Sequence, residues 1–165
     1  MTATSLLRDY DRVVERLPSP SGSREDRMQV VVDALWDELK DRNCSWVGFY
    51  VKNPDGDGLV LGPRRDKPAC SPISMFGACG RAFMSRKSLV VTDVNNLRAG
   101  YIACDPRDRS ECVIPVFESY DQPYGVLDLD SYETHAFKRD DVFGLQKVLL
   151  HAGLTVESFG DFETV

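Results

Sequence analysis

Six residues in the middle of this chain carry side chains suited to thiol redox chemistry on an amine: Cys70, Cys79, Cys104, Glu111, Asp128 and Asp130. A thiolate is a nucleophile that can be oxidised to sulfenic acid or disulfide and reduced again. Carboxylates grouped at a strand end make a seat for an ammonium ion. Neither set means much alone. Together they point to a thiol enzyme acting on a small, amine-bearing substrate.

The cysteines differ in setting. Cys104 lies in a polar loop beside Asp105, Arg107 and Arg109. A cationic neighbour lowers a thiol pKa and raises the thiolate fraction. Inert packing is the commoner fate of cysteine, and the loop alone does not choose between the two. Cys70 falls in an irregular, Pro-rich and charged stretch over 63–76. A resolving thiol is useful there because it must travel to its partner; an incidental surface cysteine fits the same stretch. Cys79 sits in the first turn of a short helix. There a thiolate is stabilised by the helix dipole, or a small side chain simply packs beneath the turn. Cys44 and Cys112 flank or begin strands and read as core. No C-x2–4-C pair occurs, so the spacing of a structural zinc site is missing. His135 and His151 lie far from the cysteines in sequence and read as structural.

Asp128 and Asp130 interrupt the apolar run GVLDLDS. Strand alternation places both on one face, with Leu127 and Leu129 on the other. Adjacent like charges are costly without a cation between them. Glu111 opens the preceding strand and can stand beside them. The three would then form an ammonium pocket, unless the aspartates simply face water at a strand end. Trp46, Gly48 and Tyr50 share one face of an earlier strand. The two aromatics either wall a pocket for an apolar group or belong to a plain aromatic core.

The elements that must position these groups are legible from periodicity. Apolar residues at three- and four-residue steps predict a helix over 5–17, ended by Pro18 and Pro20. Ser23 with Asp26 resembles a capping box opening a second helix that stops near Asn43. A strand over 44–51, the turn NPDGDG and LVLG (59–62) read as a hairpin. A short helix spans about 77–87, a strand 89–92, and a loop 93–110. Strands over 112–119 and 124–131 are joined at YDQP, and a closing helix runs from about Arg139 to Phe159. Hairpin-linked strands with segregated helices predict an α+β fold, an antiparallel sheet with helices on one face.

At 165 residues, with 42% apolar and 28% charged residues, the chain suits one domain over 1–165. Twenty-six acids against 20 bases, net charge −6, disfavour a nucleic-acid binder. The basic clusters Arg64–Arg65 and Arg107–Arg109 carry acids beside or inside them and read as solvated loops. The first fifteen residues lack the apolar core of a signal peptide, and no apolar run of about 18 residues occurs. The expected address is cytoplasmic, where five cysteines are not structural disulfides.

The strings WVGFY, LVLGP with KPAC, CG, VTDV, GYIACD, SECVIP and GVLDLDS resemble the free methionine-(R)-sulfoxide reductases, stand-alone GAF-domain enzymes. The likeness runs from the first helix through the last. It implies a six-stranded antiparallel sheet with helices on one side, and often a homodimer. It implies reduction of free methionine-(R)-sulfoxide without cofactor or metal, with reducing equivalents from a thioredoxin-like protein. By motif, Cys104 is the nucleophile, Cys70 the usual resolving thiol and Cys79 an auxiliary one. Glu111, Asp128 and Asp130 bind the amine and manage protons, while Trp46 and Tyr50 face the methyl group. Three departures stand out: Tyr101 replaces a family histidine, the step from Cys70 to Cys79 is one residue short, and Cys112 replaces an aliphatic residue. The GAF fold also admits a small-ligand sensor, or a redox sensor signalling by a disulfide.

Overall fold

A computed structural model describes residues 7–97, 104–156 and 161–165. Tyr101 and the ends of the two outermost predicted helices lie outside these residues.

The order of elements is α1 (Tyr10–Arg16), α2 (Arg24–Leu39), β1 (Trp46–Lys52), β2 (Leu59–Arg65), α3 (Ala78–Ser85), β3 (Ser88–Val91), a 3-10 turn (Val94–Asn96), β4 (Ser110–Ser119), β5 (Gln122–Ser131), α4 (Arg139–His151) and β6 (Phe162–Thr164). The strands form one open sheet in the order β2-β1-β5-β4-β3-β6. Neighbours are antiparallel except β3 and β6, which run parallel. The α+β class and the six-stranded sheet match expectation.

The helix ends differ from the periodic reading. Asp9 caps α1, its side chain accepting from the Arg12 N–H, so Leu7 stays outside the helix and 68% exposed. Capping by a short acid stops the helix from extending toward the N-terminus. The Ser23–Asp26 capping box of α2 is present, with both reciprocal hydrogen bonds at 3.1 Å. At the far end, α4 stops at His151 because Gly153 takes a left-handed φ of +68°, a conformation that ends helices. Val156 is consequently exposed instead of lining the apolar face. The three-residue strand β6 carries no alternation, and periodicity had nothing to detect.

The sheet separates two cores. On one face α1, α2 and α4 pack on Val47, Phe49, Cys112, Ile114, Leu127 and Leu129. Cys44 and Cys112 belong there, as expected. On the other face α3 packs on Trp46, Tyr50, Leu89, Val113 and Val126. Three helices therefore share one face and α3 takes the opposite one. That side is only partly covered by helix, and the space beside α3 holds the residues with chemistry. Among the described residues no helix is long and apolar enough to cross a membrane.

Candidate active site

Strand register assembles the polar floor. Alternation along β5 turns Asp128 and Asp130 to the α3 face. In β1 Trp46 stands opposite Asp130 and Gly48 opposite Asp128. On the other flank, Glu111 of β4 stands opposite Asp130. Trp46, Asp130 and Glu111 thus form one row across three strands. All three acids are buried. The alternative in which the aspartates face water does not hold.

α3 roofs this floor. Gly80 allows its first turn to lie against the backbone of Met75, where a Cβ would overlap the chain. Cys79 is brought down over the acids: its Sγ and one oxygen each of Glu111 and Asp128 lie within 4.8 Å of one another. Burial, and then Asp128, Glu111 and Asp130, push the Cys79 thiol well above its usual pKa. The helix terminus does not make a thiolate of it, because loss of hydration and three nearby acids outweigh a short helix dipole.

Cys70 and Cys104 close the mouth. They form a disulfide with a Cα–Cα distance of 5.7 Å across 34 residues of sequence. Both residues are exposed, whereas Cys44, Cys79 and Cys112 are buried and free. The Tyr50 hydroxyl donates to the Cys70 carbonyl at 2.8 Å, and Trp46 Nε1 to the Lys67 carbonyl at 2.8 Å. The two β1 aromatics, with centroids 6.0 Å apart, therefore wall the cavity and also tether the segment bearing Cys70. The Lys67 ammonium then reaches Asp105, next to Cys104, at 2.6 Å. This ion pair ties the two cysteine-bearing loops together.

Arg107 also donates to Asp105, at 2.9 Å. Its hydrogen bond, followed by that of Lys67, holds the Asp105 carboxyl well below the usual carboxylate range. The cation expected to act on Cys104 is thus engaged by the acid between them.

Sequence reasoning missed Asp108. The Arg107–Arg109 run reads as a solvated loop, and both arginines are exposed, but the acid between them is not: Asp108 is 8% exposed. Its N–H donates to the Asp105 carbonyl at 3.0 Å, and the next residue, Arg109, pairs with the Ser131 carbonyl at 2.8 Å. That turn folds Asp108 under the head of β4, beside Glu111. Burial, then Asp105 and Glu111, push its carboxyl up to about 7. The only sequence signal was its position between Cys104 and Glu111.

The resulting cavity of about 280 Å³ is lined by Cys70, Cys79, Cys104, Trp46, Tyr50, Asp108, Glu111, Asp128 and Asp130, among others. It lies just below the small end of ligand pockets, about 300–1,000 Å³. All eight residues singled out from sequence line it. No Lys, Arg or His among the described residues does. Burial pushes the Asp128 and Asp130 carboxyls well above the usual range; Glu111 adds next for Asp128, and Asp128 then Glu111 for Asp130. One oxygen of each aspartate is buried without a hydrogen-bond partner. Buried polar atoms are rarely left so.

Gly48, between the two aromatics on β1, leaves room for the indole: a Cβ there would overlap the six-membered ring of Trp46. Gly48→Ala is therefore expected to push the indole into the cavity. Overpacking of this kind costs about 1–3 kcal/mol. Substrate saturation curves should show a raised KM, and thermal unfolding a lowered Tm.

An open six-stranded sheet with a ligand cavity on the face of α3 defines a GAF domain, and the GAF-domain family matches residues 21–157. Among curated proteins, the chain is 38% identical over 150 residues to the free methionine-R-sulfoxide reductase of Escherichia coli, covering 90% of this chain and 87% of that protein. The enzyme of the same name from Saccharomyces cerevisiae is 36% identical over 118 residues, 69% of this chain and 65% of that protein. Among solved structures, the free methionine-R-sulfoxide reductase of Neisseria meningitidis in complex with its substrate superposes with a TM-score of 0.73 at 30% identity, covering 87% and 81%. The chain belongs to the free methionine-R-sulfoxide reductase family of GAF domains.

Proposed function

We propose that this chain reduces free methionine-(R)-sulfoxide to methionine, residues 1–165 acting as one unit. The observation that carries the reading is one cavity holding the Cys70–Cys104 pair, four buried acids and no basic side chain among the described residues. Family membership supplies the substrate class.

In the reduced enzyme the Cys104 thiolate attacks the sulfoxide sulfur. An acid of the Glu111, Asp128 and Asp130 group protonates the departing oxygen. Burial and mutual repulsion push the Asp128 and Asp130 carboxyls up, which favours their protonated form and suits one of them to donate that proton. The oxygen ends on Cys104 as sulfenic acid, and methionine leaves reduced by two electrons. The Cys70 thiol then displaces water from the sulfenic acid to form the disulfide. An external dithiol, a thioredoxin-like protein in a reducing cytoplasm, restores both thiols by exchange. Cys79 stays reduced as an auxiliary thiol. The remaining acids bind the substrate ammonium, and Trp46 and Tyr50 face its methyl group.

The test is substrate selectivity with dithiothreitol as reductant and methionine measured by chromatography. Free methionine-(R)-sulfoxide should be consumed, the S epimer not. N-acetyl-methionine sulfoxide, which lacks the ammonium, should be worse by about 10⁴-fold, as when a built polar site is left unpaired. Equal rates for the free and acetylated forms would rule out the acid pocket as an amine site.

A further inference from the structure

We propose that the reduced enzyme also binds one thiophilic divalent cation of the zinc class, through Cys79 Sγ and one carboxylate oxygen each of Glu111 and Asp128, in the place taken by the substrate's ammonium. The absence of a C-x2–4-C pair excludes a locally spaced zinc site only. Here the ligands come from α3, β4 and β5.

Three observations carry this. First, the three donor atoms lie within 4.8 Å of one another, and all three residues are buried. Points so spaced share a centre no farther than about 2.8 Å from each, against Zn–S of about 2.3 Å and Zn–O of about 2.1 Å, so each donor closes in by roughly half an ångström. Second, Asp128 Oδ1 and Asp130 Oδ1 have no partner, with their residues only 5% and 9% exposed. Asp128 is itself one of the three ligands, and Asp130 or a water can fill the fourth position. Third, the buried Asp108 and Asp130 line the same cavity as Glu111 and Asp128, so its wall carries four carboxyls.

The donor set selects the ion. Carboxylates alone suit magnesium, calcium or manganese, whereas a thiolate beside carboxylates suits zinc or cadmium. Binding releases the Cys79 proton to solvent, along with any proton held by the two carboxyls, so the site weakens as pH falls. Cys79 is outside the Cys70–Cys104 disulfide, so redox cycling at the mouth leaves the ligands intact. Only the competition with substrate rests on the proposed function; binding itself does not.

The experiment titrates the reduced protein with Zn²⁺ against a chromophoric chelator, and with Cd²⁺ while following the thiolate-to-cadmium ultraviolet band. One ion per chain and the cadmium band are expected. Cys79→Ser should abolish the band and, like Asp128→Asn, weaken zinc by about 100-fold or more. Cys70→Ser and Cys104→Ser should retain both signals. Circular dichroism confirms that each variant is folded. Added methionine sulfoxide should weaken apparent zinc affinity competitively. Absence of stoichiometric binding, a band that survives Cys79→Ser, or a band lost in Cys70→Ser would overturn the site. Binding that depends on Cys79 in a protein that neither turns over methionine sulfoxide nor yields to it would uphold the metal site and overturn the proposed function instead.

Discussion

Cys104→Ser is expected to abolish sulfoxide reduction, lowering kcat/KM by about 10³-fold or more, as with loss of a nucleophile in a concerted site. A serine hydroxyl is scarcely ionised at neutral pH and cannot accept the sulfoxide oxygen as a sulfenic acid. The effect should be purely chemical. Cys104 is exposed, outside both apolar cores, and its contribution to packing is small. The Lys67–Asp105 ion pair that fixes its loop is untouched by the change. Tm under reducing conditions should therefore match the parent. Cys70→Ser separates the two steps: one equivalent of methionine per chain should form at the parent rate, followed by a stalled sulfenic acid that a cyclic diketone traps. Parental steady-state turnover by Cys104→Ser would remove Cys104 from the reaction.

The second large effect has two signs. Asp128→Asn and Asp130→Asn should each lower kcat/KM by about 10²-fold, the scale for truncating one side of a buried charged contact. The same variants should melt higher than the parent at neutral pH, by on the order of a few degrees. Both carboxyls are pushed up by burial and by their acidic neighbours. An acid whose folded pKa exceeds its unfolded value stabilises the fold below the unfolded pKa. That stability is lost as pH rises through the folded pKa. The gain in Tm from the neutral amide should accordingly grow between mildly acidic and alkaline pH. A residue kept for structure would lose stability on substitution; one kept for binding trades stability for function. Melting curves across pH, together with saturation kinetics, read both. Unchanged kinetic constants in both variants would remove the acid group from substrate binding.

Much of this was written in one dimension. Period-two alternation put Asp128 and Asp130 on one face of β5, and Trp46 and Tyr50 on one face of β1. The Ser23–Asp26 spacing marked the start of α2, and the turn NPDGDG joined β1 to β2. Residue types alone named thiols and carboxylates as the chemistry. These features were legible because each depends on residues within a few positions of one another, where backbone geometry dictates which side chains share a face.

Tertiary structure decided the rest. Glu111 meets Asp130 only because β4 pairs with β5 in one register, and a slip of one residue would turn every side chain to the opposite face. α3 could lie on either side of the sheet; its placement opposite the other helices brings Cys79 over the acids. Asp108 sits between two arginines in sequence, yet a tight turn carries it beneath Glu111. Cys70 and Cys104, 34 residues apart, meet because Trp46, Tyr50 and the Lys67–Asp105 pair hold their loops together. Local pattern determines which face a side chain takes; which faces meet is settled by the packing of the whole chain, where the entropy lost in closing distant loops is offset only by the burial that all the elements share.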